Sequence, residues 1–385
     1  MATTEQAYIN HDILAWARKT INYDIDIAAK RIKVDVEKLL SWERGEDLPS
    51  ISQLRRISTI YKRPVSIFFL SEVPAEDIVF TDYRKIHGEN IYDNSPQLNI
   101  QIRQARYKRA MAIDLSELLS INIPEIGFKL SQHIGNFDEV AKEIRTFLNA
   151  NIRDQIKVTD QYESLKYWKK IIEDTGILVF HTSIHYPVDI NEMRGISLNF
   201  RPFPIILLNS KDAPYGRIFT LLHELTHILL QDSGLCDLDE HNNNSVEVFC
   251  NKIAASILVP KDKFFEYAGP ENETKAWTEA EIDNLSKTFS VSKEVIVRRL
   301  LTFNKTTKEF YKEKRAEYLN KYLKPSGHPP VHRMAISTNG YKFTSMVMDA
   351  YSQHIISQSD IASYLGVKTK HIPKIEHELY KAHEV

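Results

Sequence analysis

The sequence predicts a multidomain, mainly α chain with a small α+β part. Three observations carry this. Apolar residues recur at helical spacing over 11–70 and again over 98–173. Three short β-branched and aromatic runs lie between 177 and 208. An apolar helical segment then holds His223-Glu224-Leu225-Thr226-His227. The expected layout is an N-terminal helix-turn-helix bundle over 1–72, a helical linker region over 73–160, an α+β domain over 161–325 and a small C-terminal helical unit over 326–385. In the third of these, a small antiparallel sheet should pack on metal-binding helices.

Composition narrows the classes. With 50 basic and 51 acidic residues the net charge is −1, which argues against a protein that coats nucleic acid or a membrane surface. No apolar run approaches the roughly 20 residues of a membrane span, and the first residues carry no charged-then-apolar signal segment. Cys236 and Cys250 are the only cysteines, so no disulfide framework is expected and the cytoplasm is the expected compartment.

Along the chain, Ile13, Leu14 and Ala17 begin one amphipathic helix. Ile25, Ala28, Ala29 and Ile32 form a second, with Asp24 placed as its N-cap. A tight turn at 33–35 leads into Val36, Leu39, Leu40 and Trp42, and Gly45 ends that helix. Leu48-Pro49-Ser50 starts the next, with Ile51, Leu54, Ile57 and Ile60 inward. Short helices with a tight turn after Ile32 are what a helix-turn-helix requires.

The stretch resembles the Xre (phage-repressor-like) helix-turn-helix family. The matching residues are Ile27-Ala28-Ala29, Val34, Ser41-Trp42-Glu43-Arg44-Gly45, Leu48-Pro49-Ser50, Leu54 and Pro64-Val65-Ser66-Ile67-Phe68-Phe69. The resemblance implies that the helix near 35–43 enters the major groove of double-stranded DNA, with Lys33, Lys38, Ser41 and Arg44 as its contacts. The sequence departs from the family at Asp24 and Asp26, and the recognition helix carries Asp35 and Glu37 against a single Lys38. Such carboxylates oppose phosphate binding. Over 11–70, 11 Lys and Arg stand against 8 Asp and Glu, a weak balance of +3. Dimerisation, including a homodimer, or docking of a protein partner therefore stays open beside DNA binding.

Val73-Pro74 marks a boundary, and 75–95 has loop composition. A long helix is expected from Leu98 to Leu119; its Arg103, Arg106, Lys108 and Arg109 read as a solvated face, with a phosphate or acidic-partner contact as the other reading. Residues 137–149 and 161–173 give two more helices. The runs Ile177-Leu178-Val179-Phe180, Ile196-Ser197-Leu198-Asn199-Phe200 and Pro204-Ile205-Ile206-Leu207-Leu208 then read as the three strands.

On the helix that follows, His223 and His227 are i and i+4 and project from one face. Two imidazole nitrogens aimed at one point are two ligands of a Zn2+ ion, and Glu224 lies where a general base reaches a metal-bound water. Burying His, Glu and His among Leu and Ile is costly unless something pairs them. A third ligand must come from elsewhere. The longer motif with Gly at 230 and His at 233 is excluded by Leu230 and Ser233. Asp237, Asp239, Glu240 and His241 lie in a run that reads as an exposed loop. Glu247 shares a helix face with Cys250, Ala254 and Leu258, points inward and is favoured; Cys250 reads as a small core residue.

The third domain resembles the ImmA/IrrE metallopeptidase family, a zincin-like fold. The residues that carry this are Arg194-Gly195-Ile196-Ser197-Leu198, Pro204-Ile205-Ile206 with Asn209, Arg217 to Glu224, and Glu247 with Asn251, Ala254, Ala255, Leu258 and Pro260. Phe289, Val291-Ser292, Val295-Ile296 and Arg298-Arg299-Leu300 match its helical end. The resemblance implies a zinc endopeptidase that cleaves a repressor-like protein, with zinc on His223, His227 and Glu247 and Glu224 as base. Tyr215 and His241 are the candidates for an oxyanion-stabilising group. Some long members fused to an Xre domain resemble antitoxins paired with a toxin, which implies an alternative: a DNA-binding transcription regulator or toxin-binding antitoxin that does not cut. Beyond the linker at 325–330, residues 331–385 read as a separate small helical unit in which 360–379 echo a helix-turn-helix, and partner recognition is the expectation for that unit.

Overall fold

The computed structural model describes residues 5–74, 94–128, 136–232, 243–270, 275–320 and 329–381. The chain divides into two compact units, 1–104 and 105–385.

In the first unit, four helices, α1 (His11–Lys19), α2 (Ile25–Ile32), α3 (Val36–Glu43) and α4 (Ile51–Tyr61), precede a 3-10 turn at Val65–Phe69. The Asn10 side chain accepts the Asp12 N–H to start α1, and Ser50 with Gln53 forms a capping box on α4. Asp24 stands at the N-cap position of α2 but makes no side-chain capping bond. Lys33 ends α2 in the left-handed conformation, and this turns the chain into α3. Ile13, Ala17, Ala28, Ile32, Leu39, Trp42, Leu54 and Ile57 fill the centre. Arg18 grips Glu43 with both ends of its guanidinium, at 2.7 and 2.8 Å, and ties α1 to α3.

Helix α5 (Pro96–Leu118) carries the boundary between the units. Its basic residues are engaged with the protein. Arg103 donates to the Lys62 carbonyl at 3.0 Å, and Arg109 donates to the carbonyls of Arg201, Pro202 and Phe203 at 2.9–3.1 Å. Arg109 also stacks on the Phe200 ring. A solvated face is therefore not what Arg103 and Arg109 make.

The second unit continues with α6 (Phe137–Phe147), α7 (Ile152–Lys157) and α8 (Gln161–Glu173), then β1 (Leu178–His181), β2 (Gly195–Leu198) and β3 (Ile205–Leu208). The sheet has order β1-β3-β2. β2 runs antiparallel to β3 but β1 runs parallel to it, so the sheet is mixed and the all-antiparallel expectation is corrected. The physical reason lies in burial. Every residue of β1 and β3 is buried, the continuous apolar pattern of strands covered on both faces. Helix packing supplies that cover, and a short apolar run does not itself encode strand direction.

Two long helices follow, α9 (Pro214–Asp232) and α10 (Asn243–Leu258), and they pack on each other. Leu221, Leu222, Leu225, Ile228 and Leu229 of α9 meet Phe249, Ile253, Ala254 and Ile257 of α10 in the main core. The carbonyls at the C-terminal end of α10 have no partners within the helix, and buried side chains take them. Arg145 donates to the Ile257 carbonyl at 2.7 Å, Gln155 to that of Leu258 at 2.8 Å, and Arg299 to that of Val259 at 3.0 Å.

Helices α11 (Lys261–Ala268), α12 (Glu279–Phe289), α13 (Lys293–Thr302) and α14 (Lys308–Asn320) complete this side. The final helices are α15 (Val331–Asn339), α16 (Tyr341–Ser352), α17 (Gln358–Leu365) and α18 (Ile372–Lys381). They join the same compact unit as the sheet. Lys169 of α8 donates to the Ser337 carbonyl at 3.0 Å, Ser337 Oγ lies 2.8 Å from His181 Nδ1, and the Tyr341 N–H donates to Glu173 at 3.1 Å.

Candidate metal centre

Helix α9 carries no Gly or Pro between Arg217 and Leu230, and its apolar residues bury it on most sides. The i, i+4 spacing therefore presents His223 and His227 together, with Nε2 atoms 3.1 Å apart. From α10, Glu247 reaches both: Oε2 is 3.2 Å from His223 Nε2, and Oε1 is 3.2 Å from His227 Nε2. All three donors lie within 4.8 Å of one another. Glu224, between the histidines, is 9% exposed.

The electrostatics are those of acceptors crowded around one point. Burial pushes the Glu247 carboxyl up, but His223 and His227 outweigh it and hold it well below the usual carboxylate range. Burial pulls His227 down, and Cys250 and Glu247 reverse this and raise it well above 6.5. Two ring nitrogens and a carboxylate this close need a positive charge among them, either a proton or a cation. The donor set suits a borderline divalent metal ion, so the residues present fit the group that the motif implies. Among the described residues, His223 Nδ1 is buried without a hydrogen-bond partner.

Other sequence-derived candidates sit elsewhere. Asp237, Asp239, Glu240 and His241 lie outside the described residues. Tyr215 is half-buried at the edge of the core, and burial raises its phenol. In the first unit, Lys33 is exposed at the end of α2. Lys38 pairs with Asp47, the Ser41 hydroxyl donates to the Lys38 carbonyl at 2.8 Å, and Arg44 lies 3.9 Å from Glu46. Sequence reasoning missed the surroundings of Glu224. Gly195 at the start of β2 lies directly over it, and Thr220 stands one turn before it. Cys250 touches His227, so this thiol is a neighbour of the cluster as well as a core residue.

Residues 172–301 match the IrrE N-terminal-like domain family. That span runs from the end of α8 through α13 and contains the whole His–His–Glu cluster. The chain is also 36% identical over 86 residues to the radiation response metalloprotease IrrE of Deinococcus deserti. This match covers 18% of this chain and 31% of that protein, so the chain spans about a third of the length of its curated relative. Both likenesses are to IrrE-type proteins, and the first of them covers the stretch that carries the cluster. No helix among the described residues is long and apolar enough to cross a membrane.

Proposed function

We propose that this chain is a cytoplasmic zinc-dependent endopeptidase that cleaves a repressor-like regulatory protein. His223, His227 and Glu247 hold the ion, Glu224 is the general base, and the N-terminal helices form an Xre-type helix-turn-helix that recognises DNA or the protein partner. The observation that carries the reading is the convergence of three donors from two helices, with a buried carboxylate between the histidines. A purely structural metal site has no use for Glu224. When bound, zinc supplies a Lewis acid that polarises the scissile carbonyl and acidifies water. Glu224 takes the proton of the attacking water and hands it to the leaving amine. Among the described residues β2 pairs with β3 alone, so its other edge faces away from the sheet beside α9, and an extended peptide can lie along it.

The decisive variant is Glu224→Gln. It should keep its zinc and lose cleavage of the repressor-like target, followed by immunoblot in cells. Unchanged regulation in that strain would remove the peptidase reading. A second reading has a specific observation behind it: Lys38 is paired with Asp47, and Asp35 and Glu37 flank it. This charge pattern favours a protein surface over phosphate for the helix at 36–43, and so supports an antitoxin-like role that holds a toxin without cutting. A Glu224→Gln variant that still neutralises its partner separates the two.

A further inference from the structure

Gly195 pairs with Leu208 at the start of β2, and the strand passes close over α9 at that point. A Cβ at 195 would stand well inside van der Waals contact of Thr220 Cγ2, 3.2 Å from Glu224 Cγ and 3.5 Å from Glu224 Oε1. Backbone conformation is not the reason for glycine here, since Gly195 is not among the positive-φ residues. Space is the reason. Thr220 and Glu224 are i and i+4 on α9, so one face of the helix meets the strand. Both are nearly buried, at 8% and 9% exposure, and Thr220 is β-branched with a stiff χ1. Neither side chain can swing away at little cost.

A second close approach fixes the same junction. Arg194 NH1 lies 3.4 Å from Asp212 Oδ2, and fully buried Asp212 tucks against Gly216 in the first turn of α9. A Cβ at 216 would stand 2.6 Å from Asp212 Oδ1. Two glycines thus seat the start of β2 on the first turns of α9. A glycine inside a strand weakens it, a cost expected where another group must come close.

We propose that Gly195 is a positioning residue: its missing side chain leaves room for Thr220 Cγ2 and for the Glu224 Cγ that carries the carboxylate, and so sets where that carboxylate stands relative to His223, His227 and Glu247. This rests on the reading of Glu224 as the base, because the placement of its carboxylate has a catalytic consequence only if it moves a proton. A Cβ at 195 presses first on Thr220 Cγ2 and next on Glu224 Cγ, and none of its three nearest atoms belongs to His223, His227 or Glu247.

The test uses cobalt-loaded full-length protein titrated with acetohydroxamic acid, followed by visible absorption. A hydroxamate binds the metal and hydrogen-bonds to the neighbouring base. Glu224→Gln should therefore bind it roughly tenfold more weakly, the loss of one charge-assisted hydrogen bond. Gly195→Ala alone strains α9 through Thr220, so the main variant is Gly195→Ala/Thr220→Ser. Serine lacks the Cγ2 methyl and relieves the closest clash, while the new methyl still presses on Glu224. The double variant should fold, hold one cobalt per chain and lose several-fold in hydroxamate affinity. Thr220→Ser alone should bind like the wild type. The proposal is overturned if the double variant matches Thr220→Ser while Glu224→Gln weakens binding, or if the double variant loses its metal. If Glu224→Gln itself binds like the wild type, the base reading fails and the positioning role goes with it.

Discussion

Replacing Glu247 with Ala removes one of three donors from the cluster and leaves the other two in place. Its two oxygens stand 3.2 Å from the two Nε2 atoms, so a shared ion would lie against the carboxylate as well as both rings. Structural zinc sites with four protein ligands bind with roughly 10–16 kcal/mol, or about 3 kcal/mol per ligand. A water takes part of the vacated place, so the expected loss is about 3 kcal/mol, or about two orders of magnitude in Kd. One effect opposes this. Without Glu247, His227 loses a contact that raises its affinity for a proton, so the proton competes less with the metal. The comparison therefore belongs at alkaline pH, where that competition is smallest. Competition against a chromogenic zinc chelator gives Kd, and thermal melts of the metal-free proteins show that the fold is retained. Glu247→Gln keeps an oxygen acceptor but no charge, and should fall between. A Kd within about threefold of the wild type for Glu247→Ala would refute the three-donor arrangement.

Three further outcomes are expected. The metal-free protein should draw stability from the Glu247–His pair in a defined pH window. The depressed Glu247 group contributes above its ordinary value of 4.5 and is lost as pH falls below it, while the raised His227 contributes below 6.5 and is lost as pH rises through its folded value. Melting temperature of the apo protein should thus gain most from the pair between 4.5 and 6.5, and zinc affinity should climb as pH rises above 6.5; a zinc affinity independent of pH there would contradict this. Gly340→Ala should destabilise the chain by about 3 kcal/mol, because Gly340 has φ +77° and a Cβ would collide with the buried Glu173 carboxylate and stand 2.7 Å from the Val179 carbonyl. Thermal denaturation reads this as a drop of several degrees, and an unchanged melt would refute the tight seating of α16 on α8 and β1.

The sequence by itself determined the parts that depend on spacing within one segment. His223 and His227 share a face because any α-helix puts i and i+4 together, and Glu247 turns inward because its heptad neighbours are apolar. The existence of three short strands was legible in the same way. What depended on segments far apart was decided by tertiary structure alone. Strand direction is one case: β1 and β3 run parallel, although their residues read equally well either way. The buried Arg145, Gln155 and Arg299 look in sequence like ordinary surface residues, yet they take the end carbonyls of α10, the helix that carries Glu247. The docking of the C-terminal helices on Lys169, Glu173 and His181 joins residues more than 150 positions apart. Gly195 belongs with these. Periodicity reports what a side chain does within its own element, and a glycine has none, so only the helix packed beneath it shows why it is there.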